Sequence, residues 1–160
     1  MPVIDKRLHL VIDGDLEATH SIAGANASCL LVNTAEGTTV SGTGAFIGNG
    51  IIRDTNEDVP EGQFPCLLRN TAANFTCTGV TFAKIPQIGL HLFGADPAVI
   101  LRCSFTGGPA VYGDTAHFGI RAAGCSQLVI TGNRFYPDAN SGMQVQGILL
   151  SGCSESVISH

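Results

Sequence analysis

The sequence predicts an all-β solenoid, a stack of short coils, on three grounds: its composition, an internal repeat and the spacing of its glycines. The 160 residues include 20 glycines, and only 13% are charged, well below the usual share of roughly 25%. A glycine-rich, charge-poor chain is typical of short strands joined by tight turns. The length suits one domain, and the apolar share of 44% argues against intrinsic disorder.

Charge and hydropathy narrow the range of partners. The formal net charge is −5 and lysine occurs only at Lys6 and Lys84, so no nucleic-acid partner is expected, because phosphate binding needs clustered Lys and Arg. No membrane partner is expected either, since no apolar run approaches the roughly 18 residues of a membrane span. The N-terminal residues lack the apolar core of a secretory signal, which predicts synthesis in the cytosol.

An internal repeat is the strongest signal in the chain. The segment 29–35 reads CLLVNTA and the segment 66–72 reads CLLRNTA, so they differ at one position only. Gapless extension gives units of 17 residues, the last of which is incomplete at its end. The units cover 29–45, 66–82, 89–105, 119–135 and 147–160.

Aligned positions of these units share one chemical character. The second position is apolar throughout: Leu30, Leu67, Leu90, Ile120 and Ile148. The last position holds Ala45 in the first unit and aromatic rings in the next three, Phe82, Phe105 and Phe135. Glycines recur where the chain must turn, as at Gly42, Gly79 and Gly132. Because one unit cannot bury its apolar face alone, we expect the units to stack into a continuous core.

The repeat also divides the chain into coils and connections. Residues 1–28 are expected to form a partial N-terminal coil or cap, because the segment 10–14 matches the later half of a unit. Residues 29–160 then form the stacked coils. The connections vary in length and leave from one corner of the coil: 46–65, 83–88, 106–118 and 136–146.

The segment 119–135 carries the most complete form of the repeated motif. It reads Gly-Ile-x-x-x-Gly-Cys followed by Val-Ile-x-Gly-Asn-x-Phe. This pattern resembles the pectin-lyase-like superfamily, which includes phage tailspikes, over about residues 8–160. The resemblance implies a right-handed parallel β-helix of about five short coils. It does not fix the function, because the superfamily hosts lyases, hydrolases, adhesins and structural proteins.

The variable connections are the first place to expect binding, since loops on one edge of a solenoid often carry function. Their acids, tyrosines and histidine could contact sugar hydroxyls and sugar rings: Asp54, Asp58, Tyr112, Asp114, His117, Tyr136 and Asp138. Paired carboxylates could also cleave a glycosidic bond. The alternative is that these polar loops are simply solvated.

A second candidate site lies at the third position of the units. This position holds Leu31, Leu68, His91, Arg121 and Leu149. Its neighbours carry the core pattern, so we expect it to face outward and to place His91 beside Arg121. A lyase of the superfamily would use an arginine base there, but no carboxylate occupies the row, and an ordinary exposed pair is the alternative. The fourth position is apolar except for Arg69, which indicates either a bend in the strand or a pairing with a buried acid.

The eleventh position predicts an oligomer interface. It holds Thr39, Thr76, Val99, Val129 and Val157 between two core positions. A monomer would rarely keep a stripe of valines in water, so we expect a homotrimer around a shared axis. The alternative is that the inside and outside faces of this strand are assigned the wrong way round.

The six cysteines show neither a CxxC pair nor a zinc-ligand spacing, so neither a metal site nor a cofactor is expected. The repeat stacks Cys29 over Cys66 and Cys125 over Cys153. In-register neighbours on parallel strands seldom have disulfide geometry, and buried thiols behave as small hydrophobes. We therefore expect all six to be reduced packing residues.

These features favour an oligomeric structural or binding module of a phage particle, a capsid decoration or spike protein without catalysis of its own. Its partners would be further copies of itself, and other virion proteins or a surface polysaccharide, and its location would be the virion. The alternative is a fragment of a polysaccharide-degrading tailspike, either a lyase or a hydrolase. The incomplete fifth unit favours this alternative, because a solenoid needs a cap at each end.

Overall fold

A computed structural model describes residues 2–18, 29–48, 66–107, 117–136 and 145–159. Within these ranges the chain forms strands, numbered β1 to β17 in chain order, and no helix. The strands make three parallel sheets, named A, B and C below, and the chain visits them in that order, coil after coil. This architecture is a parallel β-helix, so the predicted fold class is confirmed.

Among the described residues, sheets A and B each contain six strands and sheet C contains five, with one strand from each successive coil. Sheet A contains β1 (Val3–Ile4), β4 (Cys29–Asn33), β7 (Cys66–Asn70), β10 (Ile88–Phe93), β13 (His117–Ala123) and β16 (Val145–Ser151). Sheet B contains β2 (His9–Val11), β5 (Thr39–Ser41), β8 (Phe75–Thr78), β11 (Ala98–Leu101), β14 (Leu128–Thr131) and β17 (Val157–Ser159). Sheet C contains β3 (Asp15–Glu17), β6 (Ala45–Ile47), β9 (Thr81–Ile85), β12 (Ser104–Gly107) and β15 (Arg134–Tyr136).

The N-terminal residues form a coil of their own, because β1, β2 and β3 supply one strand to each sheet. The connections from a sheet C strand to the next sheet A strand include the segments 19–28, 49–65, 108–116 and 137–144, all outside the described residues. Each of these segments follows a strand of sheet C and precedes a strand of sheet A, so the described residues that flank it lie at the corner between these two sheets.

Stacked phenylalanines fill the core along sheet C. Phe46, Phe82, Phe105 and Phe135 occupy one register row. Their ring centroids lie 5.2, 4.9 and 5.1 Å apart in sequence order, with the rings within 14° of parallel. The first three rings are completely buried. Like residues therefore lie on like at the spacing of adjacent strands. The repeat predicts this row for Phe82, Phe105 and Phe135, but it is wrong in the first unit, where it placed Ala45 and the structure places Phe46.

Two asparagines form a polar ladder at the end of the first sheet A strands. Asn33 and Asn70 are register partners, and both are fully buried. Asn33 Nδ2 donates to Asn70 Oδ1 at 2.5 Å, and Asn70 Nδ2 donates to the carbonyl oxygen of Ala72 at 2.8 Å. These bonds satisfy polar atoms that would otherwise be buried without partners. The later coils carry apolar residues at this position: Leu92, Ala122 and Leu150.

The gapless register of the repeat is wrong by one residue in sheet A. It placed Arg69 beside Leu92, whereas Arg69 pairs with His91 in the structure. In sheet B the same register holds, since Thr76 pairs with Val99. The apolar fourth position that seemed to be interrupted by Arg69 is therefore not one row of the sheet.

The cause of this shift is the turn between sheets A and B. Four residues separate Asn70 from Phe75, but five separate their register partners, Leu92 and Ala98. The extra residue moves every sheet A residue of the later coils by one position relative to the earlier coils. It thereby turns His91, instead of Leu92, toward the face on which Arg69 lies.

Candidate functional site

The outer face of sheet A carries a basic row formed by Arg69, His91 and Arg121. These residues are register partners on three successive strands, β7, β10 and β13. The full register row is Val3, Val32, Arg69, His91, Arg121 and Leu149. His91 lies between Leu90 and Leu92, and both leucines pack in the main core, so the row faces away from that core.

His91 and Arg121 are neighbours, but the expectation of an exposed pair is wrong for the histidine. His91 is completely buried, whereas Arg69 and Arg121 are half-buried. The imidazole packs edge-on against Phe93, with the ring centroids 6.3 Å apart and the planes at 61°. Phe93 itself is 40% exposed, so an aromatic surface that a ligand can reach lies beside His91 on the same strand.

The other leucines expected on this outward row face the core instead. Leu31 and Leu68 are buried in the main core. Leu31 pairs with Leu68, and Leu68 pairs with Leu90 and not with His91, so both lie in the inward row. Their places in the row are taken by Val32 and Arg69. Because the turn after sheet A is one residue shorter in the early coils, Val32 and Arg69 lie on the face of the basic row and Leu31 and Leu68 do not.

A small apolar cluster borders the basic row. Its buried members are Cys29, Val32, Cys66 and Ile88, and the half-buried Phe118 packs against them. This cluster is separate from the main core, and Val32 joins it to the row. Sheet A therefore buries side chains on both of its faces, which parallel sheets commonly do.

Two thiols of this cluster are in direct contact. Cys29 Sγ and Cys66 Sγ lie 2.8 Å apart, on register partners of β4 and β7. The hydrogen bond from Cys66 lowers the pKa of the Cys29 thiol against the effect of burial, and the charge of Arg69 lowers it further. Burial raises the pKa of the Cys66 thiol well above its ordinary value. The thiol pKa is therefore lowered at Cys29 and raised at Cys66.

Most of the loop residues predicted for binding lie outside the described residues. These are Asp54, Asp58, Tyr112, Asp114 and Asp138. His117 is the first residue of β13, and it pairs with Val145, the first residue of β16. Tyr136 ends β15 on sheet C and is 44% exposed. The structure therefore does not bring these two residues into the basic row.

The row predicted as an oligomer interface is a register row on sheet B. It runs through Thr39, Thr76, Val99, Val129 and Val157. Its first four members are half-buried and Val157 is 56% exposed, while the flanking positions on β8, β11 and β14 are buried. The row therefore lies on the outer face of sheet B, and its role as an oligomer interface stays a prediction.

On the outer face of sheet A, the sequence failed to predict three members of the candidate site: Arg69, Phe93 and Phe118. A signal existed for Arg69, since it is the one charged residue in an apolar column of the repeat. For the two phenylalanines no such signal exists, because their neighbours in the sheet depend on the length of a turn.

The described ranges contain neither a candidate metal site nor a membrane-spanning helix. No cluster of three or more His, Cys, Asp or Glu side chains there could hold a metal ion. In the same part of the chain, no helix is long and apolar enough to cross a membrane.

The geometry determines what the basic row can do chemically. The guanidinium groups of Arg69 and Arg121 provide hydrogen-bond donors on either side of the buried His91, which suits a ligand with repeated oxygen acceptors. Among the described residues, no carboxylate belongs to the row. The row is therefore equipped to bind such a ligand, but it lacks the paired acids that glycosidic cleavage needs.

Comparison with known proteins supports the fold. No protein-family model matches the chain, and no curated protein matches it. The chain is similar to a crystal structure from Parabacteroides merdae ATCC 43184, described as a "putative glycosyl hydrolase", with a TM-score of 0.58 and 12% sequence identity. The match covers 92% of this chain and 76% of that chain. At this identity the likeness shows a shared fold, and the phage tailspike type stays a prediction.

Proposed function

We propose that the chain binds a polysaccharide on the outer face of sheet A and is part of a glycan-degrading protein. The observation that carries this proposal is the basic row, with Arg69, His91 and Arg121 in register on three successive strands. The likeness of fold to a protein described as a "putative glycosyl hydrolase" supports the same function.

The spacing of the basic row suits a polymer. Adjacent strands lie about 4.8 Å apart, so Arg69 and Arg121 present their donors about two strand spacings apart along the helix axis, with the buried His91 between them. A polysaccharide that repeats hydroxyl or carboxylate groups can meet Arg69 and Arg121 together, since a guanidinium group offers a forked pair of donors. The exposed ring of Phe93 adds an apolar surface against which a sugar ring can pack.

Cleavage would require carboxyl groups from outside the row. Glycoside hydrolysis needs two acids that flank the scissile bond, one as general acid and the other as base or nucleophile. The predicted acids Asp54, Asp58, Asp114 and Asp138 belong to the connections that lead from sheet C into sheet A. We assign binding to the basic row and any hydrolysis to acids of these connections.

The test is binding and cleavage of a panel of bacterial surface polysaccharides. Affinity electrophoresis measures binding, and the release of reducing ends measures cleavage. Arg121→Gln should weaken binding about tenfold or more, because it removes a charge and a forked donor. The control is Arg134→Gln, which changes an exposed arginine on sheet C and should leave binding unchanged. Equal binding by wild type and Arg121→Gln would contradict the proposed site.

The same panel separates an enzyme from a binding module. Asp114→Asn and Asp138→Asn should each abolish the release of oligosaccharides while the affinity for the polysaccharide is retained. If the wild-type chain binds a polysaccharide and releases no oligosaccharide, its role is binding alone.

A second candidate function is a homotrimeric structural module of a phage particle, and the outer face of sheet B supports it. From Thr39 to Val157 the row contains only threonine and valine, preceded by His9 in the first coil, and the next outer row, from Val11 to Ser159, contains no charged residue. An uncharged, half-buried face of this kind suits packing against further copies. Such a module would reside in the virion and contact other virion proteins.

A further inference from the structure

The Cys29–Cys66 pair is arranged differently from the other cysteines. Its residues are direct register partners on adjacent parallel strands, and their sulfurs lie 2.8 Å apart. The Cα atoms of such partners are separated by about the strand spacing of 4.8 Å, inside the range of 4.4–6.8 Å that disulfides span. Both side chains point at each other, so the usual obstacle to a disulfide between parallel neighbours is absent.

The remaining cysteines provide an internal comparison. Cys77 and Cys103 have sulfurs 3.8 Å apart, but Cys103 lies in the turn after β11 and is not a register partner of Cys77. Cys125 donates its thiol proton to the carbonyl oxygen of Ala123. Cys153 donates instead to carbonyl oxygens of Ala122 and Ser151. All six cysteines are free.

We propose that Cys29 and Cys66 are a site of reversible oxidation, at which a peroxide converts the two thiols into a disulfide that joins β4 to β7. The site is separate from the main core: both residues belong to the small buried cluster beside the basic row, where Cys29 is 5% exposed and Cys66 is completely buried. Arg69, three residues after Cys66 on β7, stabilises negative charge on Cys29. The inference is independent of the proposed polysaccharide binding.

The reaction proceeds in two steps that balance with hydrogen peroxide as the oxidant. The Cys29 thiolate attacks one peroxide oxygen, the O–O bond breaks, and hydroxide leaves, which gives a sulfenic acid on Cys29. Cys66 sulfur then attacks Cys29 sulfur, the S–O bond breaks, and the Cys66 proton leaves with the hydroxide as water. Two electrons pass from the two thiols to the peroxide, and a dithiol reductant reverses the change.

The product would covalently join neighbouring coils across a long connection. Cys29 and Cys66 are 37 positions apart, and the connection between them contains the segment 49–65. Closing such a loop lowers the entropy of the unfolded chain, so oxidation should raise the thermal midpoint. The crosslink would also fix β4 against β7 at the start of the basic row.

The test is peptide mapping of the native wild-type chain after mild peroxide treatment. The expected result is a loss of two hydrogens from the intact mass and a single crosslinked peptide pair that contains Cys29 and Cys66. Treatment with dithiothreitol should restore the original mass. The thermal midpoint should rise by several degrees on oxidation and return on reduction.

Two variants sharpen the test. Cys29→Ser should abolish the crosslink and the shift in thermal midpoint, whereas Cys153→Ser should keep both. Because the map of the wild-type chain is read without any substitution, poor folding of a variant does not affect it. A crosslink at Cys77–Cys103 or Cys125–Cys153 in place of Cys29–Cys66 would overturn the proposal. So would oxidation confined to sulfinic or sulfonic acids, or no oxidation under conditions that oxidise the unfolded chain.

Discussion

At the scale of single residues, the turns show how one position of the repeat constrains its occupant. Gly42, Gly79 and Gly132 have positive φ angles of 131°, 77° and 66° in the turn between sheets B and C. A Cβ atom at Gly42 would lie 2.2 Å from the carbonyl oxygen of Ile12, so only glycine fits there. Arg102 takes this place in another coil with a φ of 53°, a conformation that is unfavourable for a residue with a side chain.

The turn between sheets A and B follows a different rule, since its inward position needs a small side chain. Ala35, Ala72, Ala95 and Cys125 are all buried there. Burial raises the pKa of the Cys125 thiol. The folded state therefore holds the proton of Cys125 at a pH at which the unfolded chain has released it.

Cys125→Ala should make the stability of the protein less sensitive to alkaline pH. A raised thiol pKa contributes stability that is complete below the ordinary thiol pKa of about 8.5 and is lost as the pH rises through the raised value. The substitution removes this loss, and alanine already occupies the position in three coils. Urea denaturation at several pH values between about 7 and 10 measures the effect. Identical pH profiles for the variant and the wild type would contradict the assigned cause.

At the scale of elements, sheet C is organised around the stacked phenylalanines. Phe82 lies between Phe46 and Phe105, with both ring centroids within 5.2 Å and no exposed surface. Offset-stacked aromatic rings stabilise each other beyond the area that they bury. Because four successive coils each add one ring to the row, the stack couples each of them to the next.

Phe82→Ala should lower the free energy of unfolding by about 3–5 kcal/mol, because it leaves a cavity between two rings. Phe82→Leu should cost less, since a leucine, Leu16, already occupies the same row in the first coil. The matched control is Phe93→Ala on the outer face, which should cost less than about 1 kcal/mol because the ring is partly exposed. Denaturant midpoints measure all three variants, and equal losses at Phe82 and Phe93 would contradict the proposed importance of the stack.

Turns decide which strand residues become neighbours, and this limited the prediction of the candidate site. The pairs in sheet B follow from the repeat, and so do those of the later coils in sheet C. Between the first two units of sheet C the repeat is wrong by one residue, because Phe46 and not Ala45 pairs with Phe82. The pairs in sheet A do not follow from the repeat, since one turn is a residue shorter in the early coils. A shift of one residue moves a side chain to the opposite face of a strand, so Arg69 joined His91 only in the structure.

At the scale of the whole molecule, the outer faces of the three sheets differ in chemistry. Sheet A carries the basic row and the small apolar cluster, whereas the outer rows of sheet B carry threonine, serine, valine and leucine. Apolar side chains also become more exposed toward the ends of the helix, as with Val11 in the first coil and Ile158 in the last. The predicted association between copies is therefore expected on sheet B.

Light scattering should give a mass of about three times 16.6 kDa if three copies pack through sheet B. Val129→Glu should then reduce the mass to that of one chain, because it places a charge in the centre of the packed row. Thr106→Glu, on the outer face of sheet C, should leave the assembly intact. A wild-type chain that stays monomeric at high concentration would contradict the trimer.

The sequence by itself determined that the chain is a solenoid, which residues stack in sheet B and in the later coils of sheet C, and that Cys29 stacks on Cys66 and Cys125 on Cys153. Repeated side chains at a fixed spacing can bury their apolar face only by stacking, so these features follow from the pattern alone. Tertiary structure alone decided that Arg69, His91 and Arg121 share one row, that His91 is buried and that Cys29 faces Cys66 at contact distance. The physical reason is that neighbours across a sheet depend on the number of residues in each turn, and a difference of one residue leaves little trace in composition or periodicity.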